Sequence, residues 1–85
     1  MKVIEKKILM EYFGSIESGK KTFELRKEDD VRYEVGDIVV LKAIDKNGNY
    51  LPGEEIPVEV TYVLRNFEGL EDGYCICGIK VLNYE

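Results

Sequence analysis

The chain has 85 residues and is 45% hydrophobic, enough for one small core and too little for two, so residues 1–85 read as a single domain. A formal net charge of −5 excludes binding to a long nucleic-acid duplex through a bulk positive field, and the absence of histidine beside only two cysteines excludes a zinc site. The charge is uneven: residues 1–32 carry eight Lys or Arg against seven acids, whereas residues 33–85 carry four against ten, so an anion-binding surface is expected in the N-terminal third.

The start of the chain has neither the apolar run of a signal peptide nor the roughly 20 apolar residues of a membrane helix, which points to the cytoplasm and away from a membrane partner. Residues 2–9 read as a first strand, with Val3 and Ile8 as apolar anchors among lysines. From residue 10 to 18 the period changes. Leu9, Tyr12, Phe13 and Ile16 fall at the spacings of one helix face, and Glu11 near the start suits the helix dipole. Gly19 is placed just past the helix end, where glycine accepts the left-handed conformation. Gly14 inside the helix costs about 1 kcal/mol relative to alanine, so packing rather than propensity must hold this turn.

The rest of the chain is organised around residues 19–26. Read as a strand from Thr22, this stretch puts Phe23 and Leu25 on one face and Thr22, Glu24 and Arg26 on the other. Phe23 and Leu25 are expected to anchor it in the core, leaving a carboxylate and a guanidinium side by side on the opposite face. Lys21, at the strand entrance, can swing its ammonium toward the same pair, so that three charged groups of both signs converge.

After Lys27 the acidic cluster of residues 28–30 interrupts the apolar pattern, and Val35-Gly36-Asp37 reads as a tight turn. Residues 38–44 follow as a central strand, apolar on both faces. Asn47-Gly48 is the signal of a two-residue hairpin turn, and Pro52-Gly53 suggests a kink before the regular part of the next strand. Along residues 56–64, Ile56, Val58, Val60, Tyr62 and Leu64 alternate with a mostly polar face, and Pro57 suits a strand start or an edge. Residues 65–73 read as a loop with Phe67 and Leu70 as possible anchors, and residues 74–84 as a last strand. Cys75 and Cys77 lie two apart on one face of that strand, a spacing ill suited to a disulfide, and read as small buried apolar side chains. The tally of about five strands and one short helix predicts a mainly β (α+β) fold: a small, curled, largely closed β-barrel with the helix packed against it.

Gly19, Lys21, Glu24 and Arg26 spell G-x-K-x-x-E-x-R, the pattern that marks ASCH domains, a group with a PUA-like barrel fold. Residues 9–13, the run 19–27, Val35-Gly36-Asp37-Ile38 and the strand 56–64 extend the likeness, so nearly the whole chain resembles a small uncharacterised bacterial and phage branch of that group. The resemblance implies RNA binding. A minority of the group resembles an amidohydrolase acting on acetylated cytidine, in which a threonine nucleophile stands where this chain has Glu24, and a carboxylate is not the same kind of nucleophile. Two further departures are Ile4, where a histidine is common, and Asp29-Asp30-Val31-Arg32, where an Asp-Arg pair is usual.

Taken on their own chemistry, Lys21 and Arg26 are expected to contact phosphate or a carbonyl and Glu24 to accept a hydrogen bond from a base amine, in a cleft between helix and barrel. If the chain were an enzyme, Lys21 and Glu24 would be its proton-transfer pair. Cross-strand salt bridges on a solvated face would explain the same residues. Lys6, Lys7, Lys20 and Lys27 are candidate phosphate contacts. Among the aromatics, Phe13, Tyr62 and Tyr74 are expected in the core, and Tyr33 and Phe67 exposed in loops where they can stack bases. The expected partner is RNA or a nucleotide: a short single strand, a structured end or one modified nucleotide. The alternatives are amide hydrolysis on a modified nucleoside and a protein-interaction adaptor. A monomer without cofactor or metal is expected.

Overall fold

In the computed structural model, which describes residues 1–82, the alternation of apolar and polar residues becomes a single sheet. Among the described residues the elements are β1 (Val3–Leu9), α1 (Met10–Glu17), β2 (Phe23–Lys27), β3 (Ile38–Ile44), β4 (Tyr50–Leu64) and β5 (Tyr74–Val81). The expected last strand ends at Val81, and the part of it at residues 83 and 84 lies outside the described residues.

The sheet order is β1-β3-β4-β5-β2, with β1 parallel to β3 and every other neighbouring pair antiparallel. The fold is therefore mainly β, a five-stranded sheet curled into a half-barrel with one short helix. Its edge strands, β1 and β2, face each other across a seam, which the Arg26 guanidinium spans by donating from Nη2 to the Lys7 carbonyl oxygen at 3.0 Å. No helix of the described residues is long and apolar enough to cross a membrane.

The core fills the concave side with Ile8, Val39, Leu41, Ala43, Ile56, Val58, Val60, Cys75, Cys77 and Ile79, closed at one end by Phe13 and Ile16 of α1. Both cysteines are free and buried, and burial pushes the Cys77 thiol up to about 12. In β1, only the even residues face inward: Ile8 is core and Ile4 packs against it, whereas Val3, expected as an anchor, is 66% exposed.

Two irregularities redirect side chains. Residue pairing between β4 and β5 slips between Val60 and Tyr62, so Thr61 is an extra residue in β4. The slip flips the inward face from even to odd positions. Val63 then packs toward the core, and Tyr62, expected inside, is 64% exposed. At the other end of β4, Lys42 pairs with Glu55 but Ile44 with Tyr50, and Gly53 at φ 81° carries the kink expected near Pro52-Gly53. The hairpin before it is one residue longer than the Asn-Gly signal suggests: Asp45 and Asn49 close a loop of Lys46, Asn47 and Gly48, with the Asp45 carboxylate accepting from the amides of Asn47 and Asn49.

The turn at Val35-Gly36-Asp37 is present, with Gly36 at φ 95°, and Asp37 is buried within it. Its carboxylate accepts from the amides of Lys2 and Glu34 and pairs with the Lys2 ammonium, which ties the chain start to the entrance of β3.

Candidate functional site

The site is built by the way α1 ends. Leu9 passes directly from β1 into the helix, and after Ser18 the chain reverses at Gly19, with φ 81°. The Lys21 amide then donates to the Ser15 carbonyl at 2.8 Å, which satisfies a helix-end acceptor and fixes where the Lys21 side chain begins. The ladder to β5 starts one residue later, with the Ile79 amide donating to the Thr22 carbonyl at 2.9 Å.

Within β2, Glu24 pairs with Cys77 and Arg26 with Cys75, both of which face the core. Opposite residues of an antiparallel pair share a face, so Glu24 and Arg26 point to the concave side and Phe23 and Leu25 to the convex side. This overturns the expectation that the apolar pair anchors the strand: Phe23 is 51% and Leu25 55% exposed, whereas Glu24 is 8% exposed. The inversion is tolerated because the buried carboxylate is paired on both oxygens. Oε1 binds the Lys21 ammonium, and Oε2 binds Arg26 Nη2 at 2.9 Å.

Lys21 is held further by donation to the Phe23 carbonyl at 2.9 Å, with its ammonium 4.8 Å from the Phe23 ring centre and 5.6 Å from that of Tyr12. Lys21, Glu24 and Arg26 thus converge. They line an open hollow of about 510 Å³ between β1, α1 and β2, whose other walls include Lys7, Leu9, Tyr12 and Phe23.

The remaining expected contacts scatter. Lys7 lines the hollow, but Lys20 in the turn after α1 and Lys27 at the end of β2 are exposed away from its walls, as is Phe67 in the β4–β5 loop. Lys6 is engaged with Asp30 at 2.9 Å. Tyr33 lies furthest from its expected place. Expected as an exposed stacking ring, it is 1% exposed, because its loop is folded inward. Its amide donates to Glu28 Oε2 and its carbonyl accepts from Arg65, while Arg65 Nε also binds Glu28 Oε1 at 2.6 Å. The Arg65 guanidinium holds the Glu28 carboxyl down at about 2.

The Tyr33 ring reaches a void of about 10 Å³ beneath Glu24 and Arg26, where its hydroxyl has no partner among the described residues and burial pushes it up to about 12. Two rings do border the hollow: Phe23, which was expected in the core, and Tyr12, which was expected on the packed face of α1 and is 45% exposed. A signal for Phe23 existed in its position beside Lys21 at the strand entrance, where strand alternation is weakest. Among the described residues, no group of three or more Cys, Asp or Glu is arranged to hold a metal ion.

Fold and site together define a small half-barrel domain with a charged, ring-flanked seam. The chain belongs to the family described as domain of unknown function DUF3850, whose model matches residues 3–79. Among solved structures it is similar to the crystal structure of hypothetical protein PH0355, with 20% identity and a TM-score of 0.62 over 96% of this chain and 100% of that one, a likeness of fold. Among curated proteins, none matches the chain.

Proposed function

We propose that the chain is a binding module for RNA or nucleotides, of the PUA-like, ASCH type that its G-x-K-x-x-E-x-R motif resembles, and that the seam hollow receives the ligand. The observation that carries this reading is the convergence of Lys21, Glu24 and Arg26 on the wall of an open hollow beside the rings of Tyr12 and Phe23. Glu24 acts as the organiser. By taking one cation on each oxygen it fixes both heads while leaving the trio with a net positive charge, suited to a phosphate. Tyr12 and Phe23 supply faces on which a base can stack.

Among the described residues, neither serine, threonine nor cysteine lines the hollow, which favours binding over amide hydrolysis through a hydroxyl or thiol nucleophile. The net charge of −5 favours a short single strand over a duplex. The test is a fluorescence-anisotropy titration of a labelled single-stranded RNA at low and high salt. Binding at low salt should weaken as salt rises, and Lys21→Ala and Arg26→Ala, with folding verified by circular dichroism, should each lose about 10-fold or more. No binding at low salt, or undiminished binding by both variants, overturns the reading.

A further inference from the structure

A second hollow, of about 450 Å³, adjoins the first, and Lys7 and Arg26 belong to the walls of both. Arg26, bonded to the Lys7 carbonyl, and Lys7 therefore stand where the two hollows meet, and the two can be taken as halves of one trough. The second half contains Lys6, Lys42, Glu5 and the ring of Tyr50, which is 55% exposed. Lys7 sits with its ammonium 5.7 Å from the centre of that ring, and Lys42 pairs with Glu5. Over the whole trough, the cations Lys6, Lys7, Lys21, Arg26 and Lys42 stand against the carboxylates Glu5 and Glu24 of its walls and Asp30, which holds Lys6 from outside them, so cations still outnumber carboxylates. This local excess of positive charge stands out on a chain whose net charge is −5.

The order of chemistry along the trough is ring, cations, ring: Tyr12 and Phe23, then Arg26 and Lys7, then Tyr50. That order repeats the base, phosphate, base order of a nucleic-acid strand. An acidic peptide would answer to the cations but not to rings at both ends, and a single nucleotide would occupy one half only. We propose that the trough binds two consecutive nucleotides of single-stranded RNA, with the linking phosphate over Arg26 and Lys7, where the two hollows meet, and the second base on Tyr50. The proposal rests on the nucleotide-binding reading above and adds to it the length of the ligand and a second stacking residue, neither of which the G-x-K-x-x-E-x-R motif contains.

The test compares 5′-AMP, pApA and pApApA as competitors of a labelled oligoadenylate, for the parent chain and for Tyr50→Ala and Tyr50→Phe. In the parent, pApA should bind roughly 5- to 100-fold tighter than 5′-AMP, the increment of one stacked base, and pApApA should add little. Tyr50→Ala should collapse the ratio of the pApA and 5′-AMP affinities toward one, and Tyr50→Phe, which keeps the ring, should restore it. Because Tyr50 is more than half exposed, its truncation spares the core, and circular dichroism checks this. Equal affinity for 5′-AMP and pApA in the parent, a ratio that persists in Tyr50→Ala, or competition by oligoglutamate as strong as that of pApA overturns the two-nucleotide trough while the binding module stands. Binding of none of the nucleotides overturns the parent reading and this one with it.

Discussion

Glu24 shows how a charged residue can occupy the inside of a small barrel. A lone buried carboxylate would be destabilising by several kcal/mol, but here both oxygens meet cations and the seam keeps one side of the group open to water. Which residues share a face of β2 is legible from alternation alone; which face is turned inward is not, because that depends on pairing with Cys75 and Cys77 fifty residues away. Tyr33 gives the opposite lesson. Its loop carries no periodic signal, yet its ring completes the barrel floor. Since its hydroxyl has no partner among the described residues, Tyr33→Phe should leave stability unchanged or raise it by up to about 1 kcal/mol in urea denaturation. A loss of more than 1 kcal/mol would show that the hydroxyl is satisfied by a group bound beneath Glu24.

Among the elements, α1 and β3 are legible in the sequence almost to the residue, because each carries a full period of its own pattern and a glycine turn at one end. β4 is legible only in part. Apolar residues at even positions from Ile56 to Leu64 imply one uninterrupted inward face, and nothing local marks Thr61 as the extra residue that exposes Tyr62. The bulge has a partner in Gly78, where an added Cβ would stand 2.9 Å from Thr61 Oγ1, so the slip and the glycine belong to one packing solution. In α1, a Cβ at Gly14 would meet nothing within 4 Å, so the helix carries a glycine its packing does not require. Gly14→Ala should therefore stabilise the chain by about 0.5–1 kcal/mol, read as a rise of a few degrees in Tm by calorimetry. No change, or a fall, would indicate that the open space at Gly14 is used by something other than solvent.

For the molecule as a whole, acid stability should depend strongly on the Glu28–Arg65 pair that pins the Tyr33 loop to the end of β4. The Glu28 carboxyl, lowered from 4.5 to about 2, carries its charge more readily folded than unfolded. Its contribution is complete above pH 4.5 and is lost as the pH falls toward 2, at most about 3 kcal/mol before screening by solvent. Glu28→Gln should accordingly be less stable near pH 7 and should lose less stability than the parent between pH 5 and 2, as followed by denaturant midpoints across that range. Parallel pH profiles for the two chains would show that the pair contributes nothing to acid unfolding. Asp37 adds to the same trend: burial raises its pKa, but donation from the Lys2 and Glu34 amides and the Lys2 ammonium outweighs this and leaves it lowered.

The guanidinium link across the seam has a consequence for how the chain meets its neighbours. A curled sheet that stops short of closure leaves backbone groups at its margins free to recruit a strand from another molecule. Arg26 occupies one such acceptor, the Lys7 carbonyl, with a side chain, so it shields the rim against self-association. Loss of Arg26 would then uncover that acceptor and leave the margin open to pairing with a second chain.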